Sequence, residues 1–333
     1  MGLLDYASDQ AAKLLILKHT FLGPKPEWTA DNIPDLSGRV MVVTGGNAGI
    51  GAEIVKELLK HNAKVYMLAR NADKARAVVA ALKEETGGKE ALFVPLDLAD
   101  FASEEAVHVL FNNAGLFGQG ERTTPAGHDL MFATNAMGPH LLTTLLLPAL
   151  ERGAAASADG RARVVALGSA TAYFGRLRFD ALAAGPARDA LGTDALYAQS
   201  KLADVLLAFE GARRYRARNV VCVALHPGIV RTELMINAEG FENQMMVGFA
   251  RARTPDSSAT SAHAPPWTAP APAAGSAGCA YAALCGNLAD PDELNGKWLV
   301  PWAREVPFPN KLGNDEELAK QLWDWVEKEL ESQ

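Results

Sequence analysis

The sequence has little of what metal sites, disulfide frameworks and nucleic-acid surfaces require. Its three cysteines, Cys222, Cys279 and Cys285, fit no metal-ligand spacing, and its seven histidines form no HExxH pattern. The formal net charge is −7 and no block of Lys or Arg occurs, whereas binding to nucleic acid needs clustered positive charge. We therefore expect reduced buried thiols, no bound metal and no nucleic-acid partner.

Long hydrophobic runs are also missing near the amino terminus. The longest one there is LLIL at residues 14–17, too short to cross a bilayer or to form the core of a signal peptide. We therefore expect a cytoplasmic protein without an integral membrane segment. Residues 1–37 look like an N-terminal extension containing one short amphipathic helix, and we favour docking of this helix on the body over contact with a membrane surface.

What is present is a regular alternation of strands and helices in a chain of 333 residues that is 49% hydrophobic. Such alternation predicts a doubly wound parallel sheet, an α/β fold of three layers (α/β/α), and we expect a single domain over residues 38–333. The predicted strands are residues 39–43, 64–68, 91–95, 107–111, 163–167, 220–225 and 296–300, and the predicted helices are residues 52–61, 72–85, 130–150, 197–215 and 314–330.

A glycine-rich octet, TGGNAGIG at residues 44–51, lies between the first predicted strand and the first predicted helix. At such a junction, peptide N–H groups and the positive end of the helix dipole can hold a pyrophosphate, and glycines let the backbone approach it. The octet therefore predicts a dinucleotide site, with contacts from Gly45, Asn47, Gly49, Ile50 and Gly51.

Several motifs occur in the order typical of one family. They are TGxxxGIG at residues 44–51, NNAG at 112–115, Ser169, YxxxK at 197–201 and PG at 227–228. The chain resembles the short-chain dehydrogenase/reductase family over about residues 38–333, and "HPGIVRTEL" and "LNGKWLVPW" look most like its retinol-dehydrogenase-like and WW-domain-oxidoreductase-like members. The resemblance implies a Rossmann fold with strand order 3-2-1-4-5-6-7 and hydride transfer by a nicotinamide cofactor.

Tyr197 and Lys201 are four residues apart on a predicted helix, so their side chains share one face. The ammonium group can lower the pKa of the phenol from about 10 toward neutrality, which makes Tyr197 the candidate general acid/base. Ser169 follows a strand and would hold the substrate oxygen. The resemblance implies that Lys201 also binds the nicotinamide ribose and that Asn135 holds the water of a proton relay. The alternative for Asn135 is a polar group that satisfies backbone.

The second predicted strand ends in Met67-Leu68-Ala69-Arg70, without the acidic residue that binds a ribose 2′-hydroxyl. Arg70 could pair with a 2′-phosphate, so we predict NADP(H), the alternative being a solvated surface arginine. The resemblance implies further cofactor contacts: Asp97 and Leu98 at the adenine, Asn112 and Ala114 at the adenosine ribose, Tyr197 and Lys201 at the nicotinamide ribose, and Pro227, Gly228 and Thr232 at the nicotinamide.

Two segments depart from short members of the family. Ser169 and Tyr197 are 28 positions apart, an insertion that the retinol-dehydrogenase-like branch shares, and we expect its Phe179 and Leu182 to pack a lid. The crossover before NNAG is short, since only residues 98–106 separate Asp97 from Val107. It must cover about 22 Å, which roughly ten extended residues can span but ten helical ones cannot, so we expect a mostly extended segment.

The substrate loop, at about residues 233–276, suits a small hydrophobic carbonyl or alcohol substrate. Within it, residues 254–276 are rich in Pro, Ala and Ser, which predicts a mobile stretch. The sequence thus predicts an NADP(H)-dependent oxidoreductase that interconverts a hydrophobic alcohol and its ketone or aldehyde. Members of the family commonly assemble as dimers or tetramers, so the resemblance allows a homo-oligomer. The alternatives are a nucleotide-binding protein impaired in catalysis by the short crossover, or an unstable product of an altered coding sequence. The apolar residues of the loop are Met235, Met245, Met246, Val247 and Phe249.

Overall fold

The fold is built on one sheet of eight strands in the part of the chain that the computed structural model describes, residues 14–16, 18, 30–95, 106–118, 122–228, 291–301 and 303–332. The strands are β1 (Val40–Thr44), β2 (Lys64–Ala69), β3 (Leu92–Pro95), β4 (Val109–Asn112), β5 (Ala162–Leu167), β6 (Val220–Leu225), β7 (Trp298–Val300) and β8 (Arg304–Glu305). Their order is β3-β2-β1-β4-β5-β6-β7-β8. The predicted order of the first seven strands is confirmed, and β8 adds an antiparallel edge strand that the sequence analysis missed.

Helices cover both faces of this sheet. The long ones are α1 (Gly49–Lys60), α2 (Ala72–Glu85), α3 (Leu130–Ala156), α4 (Thr193–Arg214) and α5 (Glu316–Glu331). Short helical segments are Ala30–Asn32, Ala170–Phe174, Phe179–Ala181, Pro186–Asp189, Arg216–Arg218, Pro291–Leu294 and Lys311–Asn314. One core cluster contains apolar residues of α1 and α2, and a second contains those of α3, α4 and α5. The predicted three-layer fold is therefore confirmed.

The strands of the sheet centre are buried on both sides, as expected for parallel strands between two helical layers. All residues of β1, β4 and β6 are buried, whereas the edge strand β3 is only partly covered. Two elements, β7 and α5, begin two residues later than predicted, and the local backbone explains both shifts. Gly296 has φ +74°, so β7 begins after it, and Asp315 accepts a hydrogen bond from the Leu318 N–H at 3.0 Å, which starts α5 at Glu316.

The entry to β4 is fixed by contacts with three neighbours. The Val107 N–H donates to the Ala149 carbonyl of α3 at 2.9 Å, and a Cβ on Gly153 would lie 1.8 Å from the Val107 oxygen. His108 Nδ1 accepts from the Val40 N–H at 3.0 Å, and the His108 N–H donates to the Val40 carbonyl at 2.9 Å. On the other side, the His108 carbonyl accepts from the Arg163 N–H at 3.0 Å. The crossover itself, including Asp97 and Leu98, lies outside the described residues, so its extended form stays a prediction.

The insertion between Ser169 and Tyr197 is tied to the body of the protein. The Asp129 N–H donates to the Leu182 carbonyl at 2.9 Å, and the Arg188 guanidinium pairs with the buried Asp129 carboxylate at 2.9 Å. Leu182 is fully buried in the core, and the Phe179 ring lies 6.3 Å from that of Trp325 on α5. These two predicted lid residues therefore pack against the body.

The amino-terminal segment contributes residues to both cores. Ile16 is 3% exposed within the cluster of α3, α4 and α5, while Ile33 and Leu36 lie in the other cluster. The Leu36 N–H donates to the His61 carbonyl at 2.7 Å. The division of the chain at residue 37 stays a prediction.

Among the described residues, one helix is long and apolar enough to cross a membrane by length and composition. It is Leu130–Ala156, with a mean hydropathy of 1.2, and 56% of its most apolar window is buried inside the molecule. Its apolar residues pack on β4 and β5 in the core cluster of that face. Its apolar residues thus belong to the core of the protein, as in a core helix.

Candidate active site

The loop between β1 and α1 is tightly folded and needs its glycines. Gly45 has φ +66°, and a Cβ there would lie 3.0 Å from the Cα of Ala114. A Cβ on Gly51 would lie 2.3 Å from the Gly45 oxygen, closer than real Cβ contacts. The Gly45 N–H also donates to the Leu68 carbonyl at 2.8 Å, so the loop lies beside the end of β2.

The first turn of α1 has neither a side-chain cap nor an acidic residue. Its N-cap residue, Ala48, makes no side-chain capping bond, and the first turn holds no acidic residue. By contrast, the side chains of Asn71 and Asp315 cap α2 and α5. The first N–H groups of α1, with the positive end of the helix dipole, therefore face the loop that contains Asn47.

Thr44 joins the NNAG segment to this loop. Its Oγ1 accepts from the N–H groups of Asn113 at 3.0 Å and Ala114 at 2.9 Å, and Asn113 Nδ2 donates to the Thr44 carbonyl at 2.8 Å. The Asn112 side chain instead faces the interior, where it is 7% exposed and donates to Thr143 Oγ1 at 2.9 Å. Any contact of Asn112 with a ribose would therefore come from its backbone.

Tyr197 and Lys201 lie on one face of α4, as their spacing predicts. The Lys201 Nζ is 5.9 Å from the centroid of the Tyr197 ring and donates to the Leu167 carbonyl at 2.8 Å. Both residues are buried, at 5% and 4% exposure. The Phe117 ring meets the Tyr197 ring edge-on at a centroid distance of 4.9 Å. The ammonium is thus held between the last residue of β5 and the tyrosine.

Ser169 lies two residues beyond the end of β5, on the same edge of the sheet as the Leu167 carbonyl that Lys201 binds. Its Oγ accepts from the Thr171 N–H at 3.2 Å and from the Thr171 hydroxyl at 2.7 Å. The Thr171 N–H can only donate to this oxygen, whereas the bond between the two hydroxyls can run in either direction. When the Thr171 hydroxyl donates, the Ser169 proton is available to a further oxygen.

Asn135 lies in a π-helical turn, Ala133–Met137, within α3. Its Oδ1 accepts from the Leu116 N–H at 2.8 Å, and its Nδ2 donates to the Leu116 carbonyl at 3.1 Å and to Ser200 Oγ at 2.9 Å. A Cβ on Gly115 would lie 3.2 Å from Asn135 Oδ1 and 3.5 Å from Lys201 Nζ. The side chain of Asn135 thus satisfies the backbone of a neighbouring loop and lies beside the lysine. Single π-helical turns are frequent at functional sites.

The other predicted cofactor residues lie at the same edge or outside the described residues. Arg70 directly follows β2 and is exposed, and Ile50 lies in the first turn of α1. Pro227 and Gly228 follow β6, where the Gly228 N–H donates to His226 Nδ1 at 3.1 Å. Three predicted contacts, Asp97, Leu98 and Thr232, lie outside the described residues.

Asp204 is a further residue of the site, and it was not predicted from the sequence. Its carboxylate accepts from Lys201 Nζ at 2.9 Å, and both side chains are 5% exposed. Burial raises the pKa of Asp204 to about 6, although Lys201 acts to lower it. The signal was available, because the two residues are three positions apart on a helix and share a face.

Comparisons with known proteins identify the family of the chain. The family model described as short chain dehydrogenase matches residues 39–243. A short-chain dehydrogenase/reductase of Armillaria gallica is 41% identical over 316 residues, covering 91% of this chain and 94% of that protein. Human retinol dehydrogenase 11 is 35% identical over 211 residues, covering 60% and 64%. The crystal structure of an uncharacterised protein from Mycobacterium paratuberculosis has a TM-score of 0.61 at 25% identity, covering 91% and 97%. The chain therefore belongs to the short-chain dehydrogenase/reductase family of oxidoreductases, in its retinol-dehydrogenase-like branch.

Proposed function

We propose that the protein is an NADP(H)-dependent oxidoreductase that interconverts a hydrophobic alcohol and its ketone or aldehyde, with Tyr197 as general acid/base. The observation that carries the proposal is the position of the Lys201 ammonium, which lies beside the Tyr197 ring and is bound to the Leu167 carbonyl at 2.8 Å. This places a cation next to a buried phenol at the edge of the sheet where ligands of doubly wound folds bind.

The loop and the start of α1 fit the pyrophosphate of a dinucleotide, because the tight glycine contacts and the uncapped helix leave backbone N–H groups for an anion. Arg70 supports NADP(H), since it is exposed beside this loop and no acid ends β2. When bound, the nicotinamide supplies or accepts the hydride. The proposed contacts are Gly45, Asn47, Gly49, Ile50, Gly51, Arg70, Asp97, Leu98, the Asn112 backbone, Ala114, Tyr197, Lys201, Pro227, Gly228 and Thr232.

In the proposed reaction, Tyr197 donates its proton to the carbonyl oxygen during reduction and takes it back during oxidation. Ser169 holds that oxygen, because its hydroxyl proton can turn toward it when the Thr171 hydroxyl donates to the Ser169 oxygen. Lys201 stabilises the phenolate form of Tyr197. Asn135 holds the Leu116 loop against the lysine and would position the water of a proton relay beside it.

The surroundings of Tyr197 support a hydrophobic substrate. Tyr197 forms a small apolar cluster with Met131 and Leu196, and Leu116, Phe117 and Leu191 pack on it while keeping part of their surface exposed. Apolar walls around one polar reacting centre are typical of sites for small hydrophobic ligands. The predicted apolar residues of the substrate loop lie outside the described residues.

The test is Tyr197→Phe, assayed with NADPH against a panel of aromatic and aliphatic ketones and aldehydes. We expect the loss of at least about 10³-fold in kcat, in line with the removal of a general acid, while the affinity for NADPH stays within a factor of about two. Tyr215→Phe, at the far end of α4, is the matched control and should keep its turnover. Turnover at the wild-type rate in Tyr197→Phe would refute the assignment.

The same assay separates the enzyme from a nucleotide-binding protein impaired in catalysis. That alternative predicts NADPH binding without turnover of any substrate by the wild-type chain. Against it stand the joint contacts of Lys201, Tyr197 and Asn135, which a nucleotide-binding module does not require. Cytoplasmic location and self-association stay predictions, to be checked by fractionation and by sedimentation of the purified protein.

A further inference from the structure

The catalytic lysine of the proposed function has a buried anionic partner. Lys201 Nζ donates to Asp204 Oδ2 at 2.9 Å and to the Leu167 carbonyl at 2.8 Å, and neither charged side chain is more than 5% exposed. A buried ion pair gains little net stability, because desolvation of both charges offsets their attraction. A contribution to stability therefore does not explain the carboxylate at this position, whereas an effect on the charge and position of Lys201 does.

The other groups around Asp204 carry no competing charge near neutral pH. Behind the carboxylate lies a cavity of about 40 Å³ whose wall includes Asn112 of β4, His140 of α3, Tyr215 and Cys222. Burial raises the pKa of Tyr215 and of Cys222 to about 12 each, and it lowers the pKa of His140, so these three groups are neutral at pH 7.

The charged groups next to these lining residues have partners of their own. His140 Nε2 lies 2.5 Å from Glu327 Oε1 of α5, and Arg214 pairs with Glu210 at 2.7 Å and with Asp324 at 2.9 Å. Asp204 is the carboxylate among the described residues that line the cavity. Its cation is Lys201, which is not part of that lining. The field of Asp204 in this buried region therefore acts mainly on Lys201 and on the tyrosine beside it.

We propose that Asp204 is a positioning residue that holds the Lys201 ammonium against β5 and offsets part of its charge, thereby setting the pH at which Tyr197 exchanges its proton. The proposal rests on the proposed function for its meaning in catalysis. With Asp204 ionised, Tyr197 faces a nearly neutral pair. Without that carboxylate, Tyr197 faces an uncompensated cation that favours the phenolate.

The experiment is a pH titration of phenolate absorbance in Asp204→Asn and in the wild-type protein, with the Tyr197→Phe spectrum of each subtracted to isolate Tyr197. The amide keeps an acceptor for Lys201 and removes only the charge. We expect the Tyr197 midpoint to fall by about one pH unit in Asp204→Asn, because the Lys201 charge, 5.9 Å from the ring centroid, is then no longer offset. Asp204→Glu, which restores the charge, should return the midpoint to within about a third of that shift.

Asp159→Asn is the matched control, because it breaks another largely buried ion pair, with Arg163 at the opposite end of β5. It should lower stability and leave the Tyr197 midpoint unchanged. An unchanged or higher midpoint in Asp204→Asn, or an equal shift in Asp159→Asn, would overturn the proposal. If Asp204→Asn gives no native near-ultraviolet circular dichroism, Asp204→Ser makes the same comparison, and failure of both while Asp204→Glu folds would assign Asp204 a purely structural role.

The pH profile of kcat/KM for reduction gives the second readout. We expect its alkaline fall to begin at lower pH in Asp204→Asn, with the two profiles converging below about pH 6, where Asp204 is itself protonated. The absorbance titration needs no substrate, so it remains valid if no turnover is found. Lack of turnover would then count against the proposed function alone, and an unmoved Tyr197 midpoint would count against Asp204 alone.

Discussion

Gly51→Ala is the sharpest test of the loop that precedes α1. Replacing a helical glycine by alanine usually stabilises a protein by about 0.5–1 kcal/mol. Here the new Cβ would lie 2.3 Å from the Gly45 oxygen and 2.5 Å from Asn113 Nδ2. Gly45 cannot yield easily, because its N–H is bonded to the Leu68 carbonyl at 2.8 Å. The clash should therefore cost about 3 kcal/mol, the upper end of overpacking, and the net loss of unfolding free energy should be about 2 kcal/mol.

Urea denaturation followed by tryptophan fluorescence measures this loss, and calorimetric titration with NADPH measures the accompanying effect on binding. We expect the affinity for NADPH to fall at least about tenfold, because the displaced backbone is the proposed phosphate cradle. Gly138→Ala on α3 is the control, since its Cβ would meet only the Ala133 oxygen at 3.4 Å. A Gly51→Ala protein as stable as Gly138→Ala, with wild-type affinity for NADPH, would refute the reasoning.

Two further predictions concern charge and pH. Arg70→Glu should reduce the rise in melting temperature given by NADPH while hardly changing the rise given by NADH. The control, Arg76→Glu on the exposed face of α2, should change neither. An equal reduction of the thermal shift for both cofactors would show that Arg70 does not bind the 2′-phosphate. Burial lowers the pKa of His140 in the folded protein, so the neutral form is favoured by folding and this contribution is lost as the pH falls below about 6.5. Unfolding free energy measured from pH 7.5 to 5 should therefore fall less steeply in His140→Gln than in the wild type, and parallel curves would show that His140 does not contribute.

The elements that the sequence predicted best are those with strong local patterns. The buried β-branched runs of β1 and β6 predicted parallel strands, and the spacing of Tyr197 and Lys201 predicted their shared face. The strand pattern and the helix spacing are each set by residues close together in the sequence, so they could be predicted without knowledge of long-range contacts. The glycine octet was likewise placed correctly between β1 and α1.

Features that depend on distant contacts were missed. The π-helical turn at Asn135 coincides with hydrogen bonds between its side chain and Leu116 and Ser200, which become its neighbours only in the folded protein. The inward direction of the Asn112 side chain depends on Thr143 of α3. The burial of Asp204 depends on packing against β4 and α3. These three features depend on contacts between different elements, so the residue pattern of one strand or one helix does not predict them.

The contacts at the entry to β4 bear on how this chain can change over time. His108 is bonded to the backbone of both neighbouring strands, and Val107 is bonded to α3, so the register of β4 is set by its neighbours. Lengthening a surface connection costs little, about 0.6 kcal/mol for each doubling. The register of β4 therefore does not depend on the length of the connection before Val107, so residues added between Leu98 and Val107 should leave β4 in place, whereas the same insertion inside residues 107–118 would not.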